Sequence, residues 1–188
     1  MALKAQIEAN KIITDQFKEQ KREEQSKKII LIVTEQLKIL REDIKDFQHT
    51  RSSIYQMKNG LPPTVSYGSI AIYKHFEDFP LTHLTERKSI NYYDTILREI
   101  FNFLSSLNYL LDLTLNSELD KDDKANMLKL ITELFIQKLQ TPIYEHEDKR
   151  VSKQPICPLC KYGHGLPEEL YFLSDTINKK LPSRLIIP

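Results

Sequence analysis

Two thiols and a histidine, Cys157-Pro-Leu-Cys160 followed after three residues by His164, are the groups in this 188-residue chain whose types and spacing could do chemistry. Thiolates separated by two residues can converge on one tetrahedral ion, and imidazole suits the same borderline-soft metal, so zinc is the ion this donor set selects. A structural zinc site normally takes four protein ligands, and the chain has no second Cys-x-x-Cys pair to complete it. His146, in the segment Tyr-Glu-His-Glu-Asp, is the first choice for the fourth ligand, with Glu145, Glu147 and Asp148 as weaker ones. The plainer reading leaves reduced thiols in a C-terminal loop. A redox role would place the pair between a strand and a helix N-terminus, and no such context precedes Cys157.

The form C-P-x-C-x3-H with a nearby glycine resembles the knuckle used by zinc ribbons and related small zinc modules. That resemblance implies a structural zinc at Cys157, Cys160, His164 and His146. A closed site of this kind leaves no coordination position for activated water and contributes fold stability instead.

A second set of titratable residues lies earlier. His75 and His83, with Glu77, Asp78 and Glu86, have the residue types of an acid-base or nuclease cluster, but no PD-x-D/E-x-K arrangement accompanies them. Isolated histidines beside surface acids are common, so no catalytic residue is assigned. Lys18, Lys21, Arg22, Lys27 and Lys28 form a basic cluster, yet Glu19, Glu23 and Glu24 interleave at spacings that favour pairing along a solvated helix face. Tyr92, Tyr93, Phe101 and Phe103 fall at helical spacing and are read as packing residues.

These groups must be positioned by helices. From Ala2 to Asn59 the chain contains neither glycine nor proline, which predicts one long helix, broken at most once. Ile30, Val33, Leu37, Leu40, Ile44 and Phe47 alternate in steps of three and four, the seam of a heptad repeat. Ile29, Leu31, Ile32 and Ile39 widen that surface, which predicts packing inside a bundle. Residues 18–28 carry nothing apolar, and Leu3, Ile7, Ile13 and Phe17 before them give only sparse periodicity. Gly60, Pro62 and Pro63 then turn the chain.

A short helix is predicted over SIAIYKHFEDF. A core helix follows from Ser89 to about Leu115, then another capped by Asp120 and stopped by Pro142, and a last one from Pro167 to Lys180. The organisation expected is mainly α: an exposed helical extension over 1–28, a helical bundle over 29–141, and a Cys-x-x-Cys loop with a short terminal helix over 142–188.

Lysine and arginine number 27 against 26 acids, a net charge of +1, which removes the electrostatic argument for a nucleic-acid binder. Four glycines leave little material for a phosphate-binding loop. No apolar leader opens the chain and no run approaches the length of a bilayer span. A cytoplasmic location is expected, membrane-proximal if an anchor precedes the sequence.

The order of parts, a charged leading helix, then NYYDTILREIFNFLSSL, then KANMLKLITELFIQKL, resembles the bacterial abortive-infection proteins of the AbiC-like type over residues 5–140. The resemblance implies an accessory protein of phage defence acting through a helical surface, and transfers no catalytic residue. The expected function is a non-enzymatic interaction or scaffold protein that self-associates or binds a partner protein through its N-terminal helix. The alternative is a phage-defence effector such as a metal-dependent nuclease with an unrecognised site.

Overall fold

The computed structural model describes residues 2–182 apart from Ser53, 80–86, Cys160 and Tyr162. Helix α1 spans Ala2–Asp46, 45 residues, or about 67 Å at 1.5 Å per residue. Strand β1 (Gln48–Arg51), helix α2 (Ile54–Lys58), strand β2 (Thr64–Tyr67) and helix α3 (Gly68–Glu77) follow it. Helices α4 (Arg87–Leu115), α5 (Lys121–Phe135), α6 (Thr141–Tyr144) and α7 (Glu168–Lys180) complete the chain. The mainly α class is as expected, and α4 packs against α1, α5 and α7. No helix among the described residues is long and apolar enough to cross a membrane.

The heptad seam is the buried edge of α1. Val33, Leu37, Leu40, Ile44 and Phe47 are all buried, and Ile29 and Ile30 pack against the core from its margin. They meet Ile100, Leu104, Leu107 and Leu111 of α4 and Ile131, Leu134 and Phe135 of α5 in one cluster. Each such side chain contributes about 1.5–3 kcal/mol on leaving water. Leu166, Leu170, Tyr171, Ile177 and Leu181 belong to the same cluster, so the C-terminal segment shares the core of the bundle.

The glycine- and proline-free stretch does not stay helical to Asn59. Helix α1 closes with the Phe47 amide donating to the Asp43 carbonyl, and the chain turns into β1. There it pairs antiparallel with β2, His49 opposite Ser66 and Arg51 opposite Thr64. The break is made by this pairing and by the His49 contacts described below. Leu31, Ile32 and Ile39, expected to broaden the core face, instead remain exposed.

Two local signals read as expected. Asp120 caps α5, its carboxylate accepting from the amides of Asp122 and Asp123, both at 2.9 Å. Gly60, at φ +64°, occupies the left-handed region after α2, ahead of Pro62 and Pro63.

Pro142 does not stop the helical path. The turn before it, Ile136–Gln140, widens to π geometry, and α6 continues through the proline. A proline lacks the amide and crowds the carbonyl four residues back, and a π turn relieves both constraints. The path is worth keeping, because it buries Leu139 and Ile143 completely.

Candidate functional site

Three regions carry functional character. In the C-terminal segment, Ile156 and Gly163 form an antiparallel bridge, and the Lys161 amide donates to the Cys157 carbonyl at 2.9 Å. Lys161 takes φ +66°. A tight knuckle therefore follows Cys157, and a lysine, not a glycine, adopts its left-handed position. The glycines serve close approach. A Cβ on Gly163 would lie 2.9 Å from the Val151 carbonyl oxygen, and one on Gly165 would lie 2.4 Å from that of Lys149.

The knuckle is held to the bundle by several ties. The Val151 amide donates to Leu166 and the Leu166 amide to Lys149, at 2.9 and 2.8 Å. Arg150 pairs with Glu168 at 2.5 Å and lies over the Tyr171 ring at 5.0 Å from its centroid. Hydrogen bonds from Ser152 and Arg150 hold the Glu168 carboxyl below the usual range.

Of the expected zinc ligands, Cys157 is buried and His164 half-buried, while Cys160 lies outside the described residues. His146 is placed in the core. Its Nδ1 lies 2.8 Å from the Pro142 carbonyl, and its ring meets Tyr73 and Phe76 edge-on at centroid distances of 4.6 and 6.0 Å. Tyr171 donates its hydroxyl to the His146 carbonyl at 2.7 Å. Among the described residues no three His, Cys, Asp or Glu side chains gather closely enough to share a metal, so His146, Cys157 and His164 do not converge as a triad. Glu145, Glu147 and Asp148 do not supply one either; Glu147 instead pairs with Lys153 at 3.0 Å.

The second region joins β1 to α3. His49 is buried, with Nε2 3.0 Å from Asp78 Oδ2, so its Nε2–H donates to the carboxylate. Arg51 reaches the other oxygen of Asp78 at 3.3 Å and Glu77 at 3.4 Å. The Lys74 ammonium, 2.6 Å from Glu77, holds that carboxyl below its ordinary range. His75 is fully buried between His49, Phe76 and Phe79, and desolvation depresses its pKa to about 3, with the neighbouring His49 adding to the effect. It is a neutral ring.

Lys149 donates to the carbonyls of Phe76, at 2.9 Å, and Glu77, placing a cation on the C-terminus of α3. The structure thus brings together His75, Glu77 and Asp78 of the expected acid-base set. His83 and Glu86 lie outside the described residues, as do the side chains of Tyr92 and Tyr93. His49 was not among the expected residues. Its partner is 29 positions away, and no local pattern in Gln-His-Thr-Arg announces it.

The third region is the first part of α1. Residues 6–25 are exposed without exception, and the earliest ties to the bundle are Arg22 to Glu118 at 3.9 Å and the Ser26 hydroxyl to the Glu118 carbonyl at 3.5 Å. Leu3, Ile7, Ile13 and Phe17 expose 60–73% of their surface. At about 100° per residue they fall within an arc of about 120°, centred about 150° from the arc of Val33, Leu37, Leu40 and Ile44. This projecting arm thus carries four exposed apolar residues turned away from the core face of its own helix, with a fifth, Ile12, on the opposite side.

Beside the core, a groove runs between α1 and α4 in two lobes of about 340 and 590 Å³ that share Leu40, Asp43 and Ser106. Ile39, Phe47, Phe103, Tyr109 and Leu110 add apolar surface, and Asp46 and Glu99 add charge. Phe103 packs edge-on against Phe47 at 5.9 Å, making part of the wall. No lysine, arginine or histidine lines it among the described residues. Comparison with protein-family models, with curated proteins and with solved structures returns no match.

Proposed function

We propose that this chain is a helical interaction protein that engages a protein partner through the arm at residues 3–17. The observation that carries the reading is the exposed stripe of Leu3, Ile7, Ile13 and Phe17 on a helix projecting beyond its bundle. A lone exposed apolar residue is ordinary, but four on one face of a projecting helix match the i, i+4 anchors of helix-mediated docking. The resemblance to AbiC-like proteins supports an accessory role in bacterial phage defence.

The C-terminal knuckle fits the same design as a structural device. A zinc bound by Cys157, Cys160 and His164 would fix the turn enclosed by the Ile156–Gly163 bridge, and its contribution would be to folding. The fourth donor is not His146 in the placement described, since that ring is packed against Tyr73 and Phe76.

The test is cross-linking and recovery of the full-length protein from its host cells, compared with Ile7→Asp/Phe17→Asp. Loss of the recovered contacts in the variant is the expected result, and the same contacts at the same yield would refute the arm. The effector-enzyme reading is favoured only by the His49–Asp78 pair. Nuclease and nucleotide-hydrolysis assays with divalent metals would support it if turnover disappeared in His49→Ala.

A further inference from the structure

We infer that the partner of the arm is a second copy of this chain. The two copies lie antiparallel about a two-fold axis, and residues 3–14 of each occupy the α1–α4 groove of the other, with Phe17 just beyond its end. The inference rests on the reading of the arm as the docking element and adds its receptor.

Charge is the first argument. The groove is apolar at its floor and acidic at its edges, with Asp43, Asp46 and Glu99 and no basic residue among the described ones. Lys4 and Lys11 of the arm and Lys18 just after it recur every seven residues and line one flank of the stripe, about 100° from its centre, while Glu8 and Asp15 lie about 150° from it, turned away from the cleft. That flank is the one on the groove side of α1, whose groove-lining residues centre about 60° from the stripe. A helix carrying apolar anchors along its centre and lysines along one edge is the complement of this cleft.

Register gives the second argument. An antiparallel pairing centred on Gln25 sets residue i of one copy level with residue 50 − i of the other. Lys4 then stands level with Asp46, Ile7 with Asp43, and Lys11 with Ile39, one turn from Asp43. Near the axis, Lys27 of one copy stands level with Glu23 of the other and Lys28 level with Arg22, so the polar middle of α1 is paired by charge only in part. The exposed Ile32 and Ile39, unexplained by the fold, fall on the same side and meet the incoming arm.

Size gives the third. Fifteen residues of helix are about 22 Å long and about 11 Å across, so half of the curved surface is about 400 Å². Along α1 the groove runs from Gln36 to Gln48, a span of about 18 Å. One arm in one groove is too small for a stable interface, but over the roughly 18 Å of groove two arms and two grooves together bury about 1,200 Å², the lower end of the standard size. The reciprocal arrangement is also closed, so it stops at a dimer.

The experiment is sedimentation of the full-length protein over a hundredfold concentration range, with two triple charge reversals at exposed positions. These are Lys4→Glu/Lys11→Glu/Lys18→Glu on the arm and Asp43→Lys/Asp46→Lys/Glu99→Lys on the groove. The wild type is expected to show a monomer–dimer equilibrium, and each variant alone to weaken it at least tenfold. An equimolar mixture of the two variants should restore dimerisation, because each arm then meets a groove of opposite charge.

A wild type that stays monomeric overturns the inference while leaving the arm reading to its own cross-linking test. A dimer weakened by Ile7→Asp/Phe17→Asp but indifferent to the groove reversal overturns the receptor alone. A dimer indifferent to all of these substitutions overturns both. Circular dichroism that matches the wild type, together with recovery in the mixture, shows that loss in either variant is not misfolding.

Discussion

Lowering the pH from 7.5 to 5.0 should destabilise this protein through His75 alone by about 2 kcal/mol. The imidazole is fully buried beside Phe76, Phe79 and His49, and its pKa is lowered from 6.5 to about 3. In the unfolded chain it titrates near 6.5. Between those values the unfolded state binds a proton that the folded state refuses, so stability is complete above about 6.5 and falls as the pH falls. At pH 5 the unfolded ring lies 1.5 pH units below its pKa, and at about 1.36 kcal/mol per unit the loss is about 2 kcal/mol. This figure does not depend on the exact native value, because any native pKa below about 4 gives the same result at pH 5.

The measurement is urea unfolding of the wild type and His75→Leu at both pH values. Leucine keeps an apolar side chain of similar bulk at a site already walled by phenylalanine rings. Asp78, Glu77, Lys74, Arg51, His49 and Lys149 surround the position in both proteins, so the comparison isolates the imidazole. The wild type should lose about 2 kcal/mol more than the variant between pH 7.5 and 5.0. Equal losses would refute the burial of a neutral His75, whatever the absolute stabilities.

Gly165→Ala should cost about 1–3 kcal/mol, since its Cβ would lie 2.4 Å from the Lys149 carbonyl oxygen and 2.9 Å from Val151 backbone atoms that the Leu166 hydrogen bonds hold in place; chemical unfolding within 0.5 kcal/mol of the wild type would contradict it. Leu166→Ala should destabilise by about 2–5 kcal/mol and keep a single unfolding transition, because the C-terminal segment shares the main core. A separate early transition, read by calorimetry, would show an independent module. Asp120→Ala should accelerate amide exchange at Asp122 and Asp123, whose amides it caps, while exchange in α7 stays unchanged. Protein purified without chelator should contain about one zinc, and Cys157→Ser less than a tenth of that; little metal in the wild type would end the zinc reading.

What could be read from the sequence was whatever rests on contacts within a few turns. The spacing of Val33, Leu37, Leu40, Ile44 and Phe47 identifies the buried edge of α1, and Asp120 announces α5, because both signals lie within one helix. The end of α1 at Asp46 carries no such signal. It is imposed by the pairing of β1 with β2 and by a His49–Asp78 contact spanning 29 residues, neither of which glycine or proline marks. Pro142 misled for a related reason: the π turn that accommodates it is stabilised by complete burial of Leu139 and Ile143, a tertiary gain.

The arm shows the same limit from the opposite side. Its four apolar residues are visible in the sequence, but they are sparse and do not continue the register of the core seam. Their face is turned about 150° from that seam, so over the whole of α1 the two stripes cancel and the helix looks evenly polar. A bundle helix needs only one apolar face. A second one, displaced along the axis and turned outward, adds nothing to the fold of its own chain and leaves apolar surface in water, where each side chain forgoes about 1.5–3 kcal/mol of burial. The cancellation that hides it in the sequence is what the proposed dimer would leave on α1, one stripe facing the chain's own core and the other the second copy.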